Sequence, residues 1–311
     1  MMADMRVLVT GGAGFIGANL VRELLARAHD VTVLDDVSTG LLSNLQGLAV
    51  DVQLGSVVDP EAVACAMAGA DAVVHLAALG SVARSVADPL STHLINATGT
   101  LNVLLAAREA GAHFIFASSS SVYGANSQLP QHEEMWMQPL SPYGASKMAG
   151  ESYALAFREV YEMDVLVLRL FNVYGPGQRP DHEYAAVIAR FAQSALLNRP
   201  VEVYGDGNQT RDFTHVSSVV QVIARAVEQR LSWPRPVNLA FGEPVTVNDV
   251  ITVIQDQTMR QLQPVHREPR TGEIRNSRSD PALIRQLFPG IEPVALSDGI
   301  ASVLTWLGAG K

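Results

Sequence analysis

The chain is poor in cysteine, in net positive charge and in long apolar runs, and each scarcity excludes a class of protein. Cys65 is the only cysteine among 311 residues, so no intramolecular disulfide and no cysteine-based zinc site is encoded. Its apolar neighbours predict that this thiol packs in the core. The formal net charge of -9 disfavours general nucleic-acid binding, because a phosphate backbone requires clustered Lys and Arg. No apolar stretch approaches the ~18–20 residues that span a bilayer.

The beginning of the sequence indicates a cellular compartment. The first predicted strand already begins at Arg6, which leaves no room for a signal peptide. We therefore expect a cytoplasmic protein without a membrane partner. The negative charge still permits a substrate that carries one diphosphate, because a few local basic residues are enough to hold it.

The first half of the chain alternates short apolar runs with helical patterns. The predicted strands cover residues 6–10, 31–34, 52–54, 72–76, 113–117 and 165–168. The predicted helices cover residues 15–28, 60–68, 90–110 and 142–161. Strands and helices that alternate in this way form parallel pairs with right-handed crossovers. The sequence therefore predicts an α/β fold built on a Rossmann-like, doubly wound parallel sheet.

The pattern changes after Arg169, where loops rich in Gly and Pro separate isolated helices at 183–198 and 215–229. We therefore predict two domains, a Rossmann domain over residues 1–169 and a smaller C-terminal α/β domain over 170–311. A short apolar run at 237–240 is expected to return to the main sheet, so the two domains would interleave.

A glycine-rich turn follows the first predicted strand. Gly11, Gly14 and Gly17 stand between that strand and a helix, where glycines permit a tight turn and the helix N-terminus offers free N–H groups to a pyrophosphate. Asp35 ends the second strand, at the place where a carboxylate binds the adenosine ribose diol. A carboxylate there repels a 2′-phosphate, so the sequence predicts NAD rather than NADP in the first domain.

Two further signals suit a dinucleotide site. Tyr143 and Lys147 lie four residues apart on one face of a predicted helix, and a run of four serines (118–121) follows a strand at the sheet edge where ligands collect. Alone, a Tyr-x-x-x-Lys spacing is more typical of an exposed lysine beside a packed tyrosine. Beside the dinucleotide turn it predicts a phenol base, whose pKa a neighbouring ammonium and a cationic nicotinamide ring together move toward neutrality.

With these motifs the chain resembles the extended short-chain dehydrogenase/reductase family of NAD-dependent epimerase/dehydratase type, and most of all its UDP-glucose 4-epimerase branch. The resemblance extends over nearly two-thirds of the chain. The matching runs are TGGAGFIG at 10–17, LDD at 34–36, HLAA at 75–78, SSSSVYG at 118–124, SPYGASK at 141–147, RLFNVYGPGQ at 169–178 and GDGNQTRDFTHV at 205–216.

The resemblance implies roles for individual residues. Tyr143 is expected to act as the base, Lys147 as its partner and Ser119 as the second hydroxyl. Residues expected to contact NAD are Gly11, Gly14, Phe15, Ile16, Gly17, Asp35, Asp36, Ser38, Thr39, Gly40, Ser56, Val57, Leu76, Ala77, Ala78, Asn96, Tyr143 and Lys147. Residues expected to contact the nucleotide sugar are Ser119, Ser120, Asn172, Arg179, Arg211, Arg270, Glu273 and Ser277.

The implied reaction is epimerisation at C4 of a UDP-linked hexose through a transient 4-keto sugar that rotates in the site. Family dehydratases have an acidic pair where this chain has Ser120 and Ser121, which argues against dehydration. Ser56 and Ser217 or Ser218 replace other acidic residues usual in the family.

Several alternatives stay open at this stage. UDP-glucuronate or a UDP-N-acetylhexosamine could replace UDP-glucose or UDP-galactose. The nucleotide that carries the sugar could also be dTDP instead of UDP. The reaction could instead be decarboxylation, 4,6-dehydration or 4-keto reduction of a sugar nucleotide. The protein could also be a non-catalytic NAD-binding scaffold. Leu104, Leu105, Ala154 and Phe157 give the predicted helices apolar residues on more than one face, which predicts a homodimer.

Overall fold

A computed structural model describes residues 4–181, 186–268 and 275–309. The chain divides into two compact units. The first unit comprises Met1–Asn126, Glu133–Leu170 and Val220–Asn238, and the second comprises Ser127–His132, Phe171–Val219 and Leu239–Lys311.

A seven-stranded sheet forms the centre of the first unit and confirms the predicted doubly wound fold. Its strands are β1 (Arg6–Thr10), β2 (Asp30–Asp35), β3 (Asp51–Leu54), β4 (Ala72–His75), β5 (His113–Ser119), β6 (Val165–Leu170) and β11 (Val237–Leu239). They are ordered β11-β6-β5-β4-β1-β2-β3, and the pairs from β6 to β3 are parallel. Branched side chains such as Val7, Leu8 and Val9 are buried on both faces, as parallel strands require.

Helices of the first unit connect these strands. They are α1 (Phe15–Ala26), α2 (Pro60–Met67), α3 (Val82–Ala87), α4 (Pro89–His93), α5 (Gly99–Ala110) and α6 (Pro142–Tyr161). The helix predicted at 90–110 is helical throughout, but α4 and α5 are joined by a π-helical stretch at Leu94–Thr98 that was not predicted. No helix within the described ranges is both long and apolar enough to cross a membrane.

Small strands and helices make up the second unit. Its strands are β7 (Val173–Tyr174), β8 (Val201–Tyr204), β9 (Thr210–Asp212), β10 (Thr214–His215), β12 (Pro244–Thr246) and β13 (Pro264–Arg267), which pair two by two. Its helices are α7 (Val187–Leu196), α9 (Val247–Thr258), α10 (Ala282–Leu287) and α11 (Leu296–Ala309), and α8 (Val216–Glu228) begins in it. Buried residues that include Phe191, Val203 and Ile254 form one apolar core.

Cys65 does not pack in the core, so that expectation is wrong. The buried face of α2 consists of Val63, Ala66 and Met67, and the thiol of Cys65 points to the exposed face. The helical period of 3.6 residues explains the error, because an apolar run in a short helix covers its solvent face as well as its core face.

Helix α6 carries two of the predicted catalytic residues and approaches β5 closely at Gly150. A Cβ atom on Gly150 would lie 2.5 Å from Cζ of Phe116, a ring that is buried beneath the helix. The small residue therefore sets the distance between α6 and the end of β5.

We predict that Gly150→Ala lowers the free energy of unfolding by about 1–3 kcal/mol, because the added methyl group overpacks the α6–β5 contact. Urea unfolding followed by circular dichroism measures the change. Gly308→Ala is the matched control, since Gly308 is helical and nothing lies within 4 Å of its added Cβ. That variant should stay within about 1 kcal/mol of wild type, on the stabilising side. Equal losses in both variants would contradict the packing argument.

Candidate active site

The glycine turn after β1 is so tight that only glycine fits at two of its positions. Gly11 has φ +73°, and a Cβ atom there would lie 2.7 Å from the backbone nitrogen of Ala77. A Cβ on Gly17 would overlap the carbonyl oxygen of Gly11. These glycines therefore allow the turn to pack closely against Ala77 and to begin α1 directly beside it, which is the kind of turn that precedes a pyrophosphate site.

Helix α1 begins at this turn with an uncapped N-terminus. Gly14 is its N-cap residue and contributes no side-chain hydrogen bond, so Phe15, Ile16 and Gly17 begin the helix with N–H groups that suit an anion. Asp35 at the end of β2 is buried. Its carboxylate accepts hydrogen bonds from the N–H groups of Ala13 (2.9 Å) and Val37 (2.8 Å), and both oxygens retain further lone pairs.

The other residues predicted to contact NAD lie in the first unit, in loops at the carboxyl ends of the same strands. Asp36 accepts from the N–H of Ser38 (3.0 Å), and Gly40 packs closely against Ala13. Thr39 lies in the same loop, and Ser56 and Val57 follow β3. Leu76, Ala77 and Ala78 follow β4. The sequence motifs thus come together at one edge of the sheet, where ligands of doubly wound folds bind.

The predicted catalytic pair lies in the first two turns of α6. Ser141 caps this helix by accepting from the N–H of Gly144, and Pro142 occupies its first turn. Tyr143 lies near Ser119, the last residue of β5, whose hydroxyl acts to lower the pKa of the phenol. Tyr143, Lys147 and Ser119 therefore meet where the helix begins and the strand ends.

The phenol of Tyr143 is not activated in this structure. Burial raises its pKa, and the hydroxyl of Ser119 offsets only part of that rise. The ammonium of Lys147 donates instead to the carbonyl oxygen of Ala117 (2.7 Å). Lys147 alone therefore does not move the phenol pKa toward neutrality, and the further positive charge expected from a nicotinamide ring is needed.

Lys147 is itself buried, with its ammonium 5.0 Å from the centre of the Phe116 ring. Burial lowers the pKa of Lys147 to about 8, and the negative charge of Glu151 opposes that fall. The amine is therefore still mostly protonated at neutral pH, with a narrow margin.

A buried histidine that the motif analysis did not single out connects the cofactor loop to the sheet. The Thr100 hydroxyl donates to the carbonyl of Asn96 (2.6 Å), so it accepts from Nε2–H of His75 (2.9 Å). The unprotonated Nδ1 of His75 then accepts from the hydroxyl of Thr10 (2.7 Å), which accepts from the N–H of Ala77 (3.3 Å). This hydrogen-bond chain has one direction only, and it requires the neutral imidazole.

Asn96 occupies the π-helical stretch between α4 and α5, where its side chain joins the cofactor loop to the catalytic helix. Its Oδ1 accepts from the N–H of Leu79 (2.8 Å), and its Nδ2 donates to the Leu79 carbonyl (3.3 Å) and to Oγ of Ser146 (3.0 Å). Ser146 precedes Lys147 on α6. The irregular turn therefore places one amide at a functional junction, as π-bulges often do.

The described residues predicted to contact the sugar nucleotide, other than Ser119 and Ser120, lie in the second unit. Asn172 (φ +32°) donates to the carbonyl of Asp212 (3.3 Å), and Arg211 donates to that of Thr210 (2.9 Å). Ser277 is buried, with its N–H bonded to the carbonyl of Thr210 (3.1 Å). Arg270 and Glu273 lie outside the described residues.

Arg179, predicted as a contact for a substrate carboxylate or as a loop arginine, forms a two-pronged ion pair with Asp181. Nε and Nη2 of Arg179 lie 2.9 Å from the two carboxylate oxygens, and both side chains are exposed. Oγ of Ser217 lies 2.8 Å from Nδ1 of His215, and Oγ of Ser218 donates to the carbonyl of Glu292 (3.3 Å). Both serines therefore have local partners.

A tyrosine and a lysine one helical turn apart, facing a strand-end serine beside a dinucleotide turn, define a short-chain dehydrogenase/reductase enzyme. The chain belongs to the NAD dependent epimerase/dehydratase family, whose model matches residues 7–240.

Three relatives illustrate the similarity. The chain is 37% identical to the UDP-glucose 4-epimerase of Mycolicibacterium smegmatis, over 96% of this chain and 97% of the relative. The structure of a UDP-N-acetylglucosamine 4-epimerase from Methanobrevibacter ruminantium, in complex with UDP-N-acetylmuramic acid, superposes with a TM-score of 0.94 at 31% identity and covers 100% of both chains. The UDP-glucose 4-epimerase of Thermus thermophilus, in complex with NAD, superposes with a TM-score of 0.90 at 34% identity, covering 99% of this chain and 100% of that chain.

The buried histidine predicts an acid sensitivity. Burial lowers the pKa of His75 to about 3, from an ordinary value of 6.5. Between these pH values the unfolded chain binds a proton that the folded chain does not, so stability falls as the pH falls below 6.5, by up to about 1.4 kcal/mol per pH unit for this group. We predict that His75→Gln makes the plot of unfolding free energy against pH shallower between pH 6.5 and 5.

Urea unfolding at half-unit pH intervals measures this slope, which is independent of any constant loss of stability in the variant. His93→Gln is the control, because His93 is exposed, and its slope should equal that of wild type. His113, whose pKa burial lowers to about 4, supplies a second step that persists in His75→Gln. Identical slopes in wild type and His75→Gln would disprove the prediction.

Proposed function

We propose that this protein is an NAD-dependent nucleotide-sugar 4-epimerase and that its substrate is a UDP-linked hexose of the UDP-glucose/UDP-galactose type. The observation that carries the proposal is the meeting of Ser119, at the end of β5, with Tyr143 and Lys147 in the first turns of α6, on the unit that also has the dinucleotide-binding turn. Epimerases that act on UDP-sugars are also the relatives that match nearly the whole chain.

The residues of the turn fit NAD. Gly11 and Gly17 allow the tight backbone packing of the turn, which a Cβ atom at either position would prevent, and the N-terminus of α1 begins there without a side-chain cap. Asp35 is positioned to bind a ribose diol and would repel a 2′-phosphate. When bound, NAD takes a hydride from the sugar carbon and later returns it to the opposite face.

In the proposed mechanism Tyr143 is the base that removes the C4 hydroxyl proton. Ser119 shares that proton through its hydroxyl, which lies near the phenol. Because burial raises the phenol pKa, Tyr143 becomes an effective base only when a positive charge is added nearby. Lys147 and the nicotinamide ring would supply it together. Tyr143 is thus a poor base when no cofactor is bound, and in that state it does not readily take a proton from a hydroxyl group.

Ser120 and Ser121 support epimerisation over elimination. Loss of water from a sugar requires a general acid and a base near the breaking bonds, and both residues here are hydroxyls without charge. Ser121 donates its N–H to Oγ of Ser119 (3.2 Å) and so serves the catalytic hydroxyl. The 4-keto sugar would then meet no acid and base pair for the elimination of water, and its reduction would be the reaction that remains.

We propose that the second unit binds the nucleotide sugar through Asn172 and Arg211, while the first unit binds NAD. Arginine suits a diphosphate because its planar fork pairs with two oxygens. Arg179 could bind a glucuronate carboxylate only by leaving Asp181, at a cost of about 0–1 kcal/mol for an exposed pair. This pairing favours a neutral hexose slightly. Ser277, a small buried residue, leaves room for a 2-acetamido group, so UDP-N-acetylhexosamines belong in the substrate panel.

We predict that the purified enzyme converts UDP-galactose to UDP-glucose without added reductant, giving a product of equal mass. Chromatography with mass spectrometry on a panel of UDP-sugars measures this. Tyr143→Phe should lower kcat by about 10²–10⁴-fold because it removes the proton acceptor. Tyr153→Phe, a change of the same size at an exposed site on α6, should leave kcat unaltered. Loss of water or carbon dioxide from any substrate would contradict the proposal.

We also propose that the protein forms a homodimer, although three of the four residues that first indicated one are not available for an interface. Leu104, Ala154 and Phe157 are buried inside the first unit, and only Leu105 is exposed. The dimer proposal therefore rests on other apolar residues of the same region, which are exposed. The exposed ones on α3, α4, the π-helical stretch and α6 are Val86, Leu90, Leu94 and Val160.

We predict that Leu90→Glu converts the dimer to a monomer at micromolar concentration, because it places a charge within an apolar interface. Sedimentation velocity measures the change. Met259→Glu is the matched control, since Met259 is 90% exposed and lies in the second unit, and it should remain dimeric. A wild-type protein that sediments as a monomer would refute the dimer.

A further inference from the structure

Glu151 lies one helical turn beyond Lys147 on α6 and is buried, with 1% exposure. Its carboxylate pairs with Arg169 of β6 through two hydrogen bonds, from Nε to Oε1 (2.9 Å) and from Nη2 to Oε2 (2.8 Å). Replacing such a buried pair by apolar residues is often neutral or stabilising. Its presence beneath the catalytic pair therefore calls for a functional reason.

The same carboxylate binds the strand end that precedes the catalytic serine. Oγ of Ser118 donates to Oε1 of Glu151 (2.5 Å), and Nζ of Lys147 donates to the carbonyl of Ala117 (2.7 Å). Two successive residues of β5 are thus bound to two successive turns of α6. Ser119 follows immediately, so its position relative to the helix depends on these two bonds.

Arg169 uses its remaining donors away from Lys147. Its Nη1 donates to the hydroxyl of Tyr123 (2.9 Å), and that hydroxyl donates to Oδ1 of Asn238 (2.6 Å). The Asn238 N–H in turn donates to Oε1 of Glu133 (2.9 Å). The network thus binds Arg169 to Glu151 and Tyr123, while the carboxylate of Glu151 also raises the pKa of Lys147.

The titratable groups around Lys147 show why this carboxylate matters. His75 on β4 is neutral, since its hydrogen bonds require an uncharged ring, and Tyr143 on α6 is neutral because burial raises its pKa. From β5, Lys147 faces a carbonyl and an aromatic ring. Among the described residues that pack there, Glu151 supplies the negative charge.

We propose that Glu151 is a positioning residue for the epimerase reaction, whose buried carboxylate keeps Lys147 protonated and holds the strand end that presents Ser119. The catalytic part of this inference rests on the function proposed above. A buried ammonium without a counter-charge loses its proton, and a neutral amine would no longer favour the phenolate of Tyr143. The margin is narrow, because the Lys147 pKa is lowered to about 8 even with Glu151 present.

The composition of the chain makes a direct test possible. Lys147 and Lys311 are the only lysines in the sequence, so labelling with ¹³Cε-lysine gives two side-chain signals, and Lys147→Arg identifies the one from Lys147. An NMR titration between pH 6 and 10 then measures the Lys147 pKa in the full chain without substrate. Lys311, the last residue, is the internal reference.

The expected results separate charge from packing. In wild type the Lys147 signal should be that of an ammonium at pH 7. Glu151→Gln keeps the shape and an acceptor for Ser118 but removes the charge, so the Lys147 pKa should fall by about 1 unit or more. Arg169→Lys disturbs the same network with both charges conserved, and its Lys147 pKa should stay near the wild-type value. The third lysine signal in that variant belongs to the new residue.

The double variant Glu151→Gln/Arg169→Gln removes both buried charges together. It replaces Glu151→Gln in the titration if that single substitution prevents folding. It should show a fall in the Lys147 pKa that is smaller than in Glu151→Gln, because the repulsion from Arg169 is removed together with the attraction of Glu151. The proposal is overturned by a neutral Lys147 at pH 7 in wild type, by an unchanged pKa without Glu151, or by an equal fall in Arg169→Lys. In the epimerase assay Glu151→Gln should lower kcat by about ten- to a hundredfold with little change in KM. A protein without epimerase activity would refute the proposed function and leave the NMR result standing.

Discussion

The attachment of α6 to the end of β5 is the contact on which the candidate active site depends. Lys147 binds the Ala117 carbonyl, Tyr143 lies near Ser119, and Gly150 allows the helix to approach the Phe116 ring. Ser119 is the last residue of β5 and is paired with Leu170 of β6, and a serine that shares a proton must stay within a few tenths of an ångström. The helix adds a second restraint, because its side chains bind the strand on successive turns.

The cofactor edge is held by a second device, the directed hydrogen-bond chain through His75. Because the imidazole must donate on one side and accept on the other, it tolerates no proton and no tautomer change. Buried polar networks of this kind cost little only when every member is satisfied. Asn96 extends the restraint to Ser146 on α6, so the dinucleotide loop and the catalytic helix are positioned by one network.

Much of this arrangement could be predicted from the sequence, because its strongest signals are local. The glycine turn, the acid at the end of β2 and the Tyr–Lys spacing each depend on a few neighbouring residues, and α6 has the predicted bounds. The strand predicted at 113–117 continues to Ser119, since the serines there pair with β6 although they are not apolar. The π-helical stretch at Leu94–Thr98 could not be predicted, because hydrophobic periodicity does not distinguish one extra residue per turn.

The features that escaped prediction share a physical cause, which is electrostatics between residues distant in sequence. Burial raises the pKa of the Tyr143 phenol. The Lys147 ammonium was expected to oppose that rise, but it donates to the carbonyl of Ala117. Glu151 and Arg169 each read as ordinary helix and strand residues, and only the fold brings them together. An uncharged pair at this place would often be as stable or more stable, but it would give a buried ammonium no counter-charge. The role proposed for Glu151 therefore explains why a buried ion pair stands here in place of apolar residues.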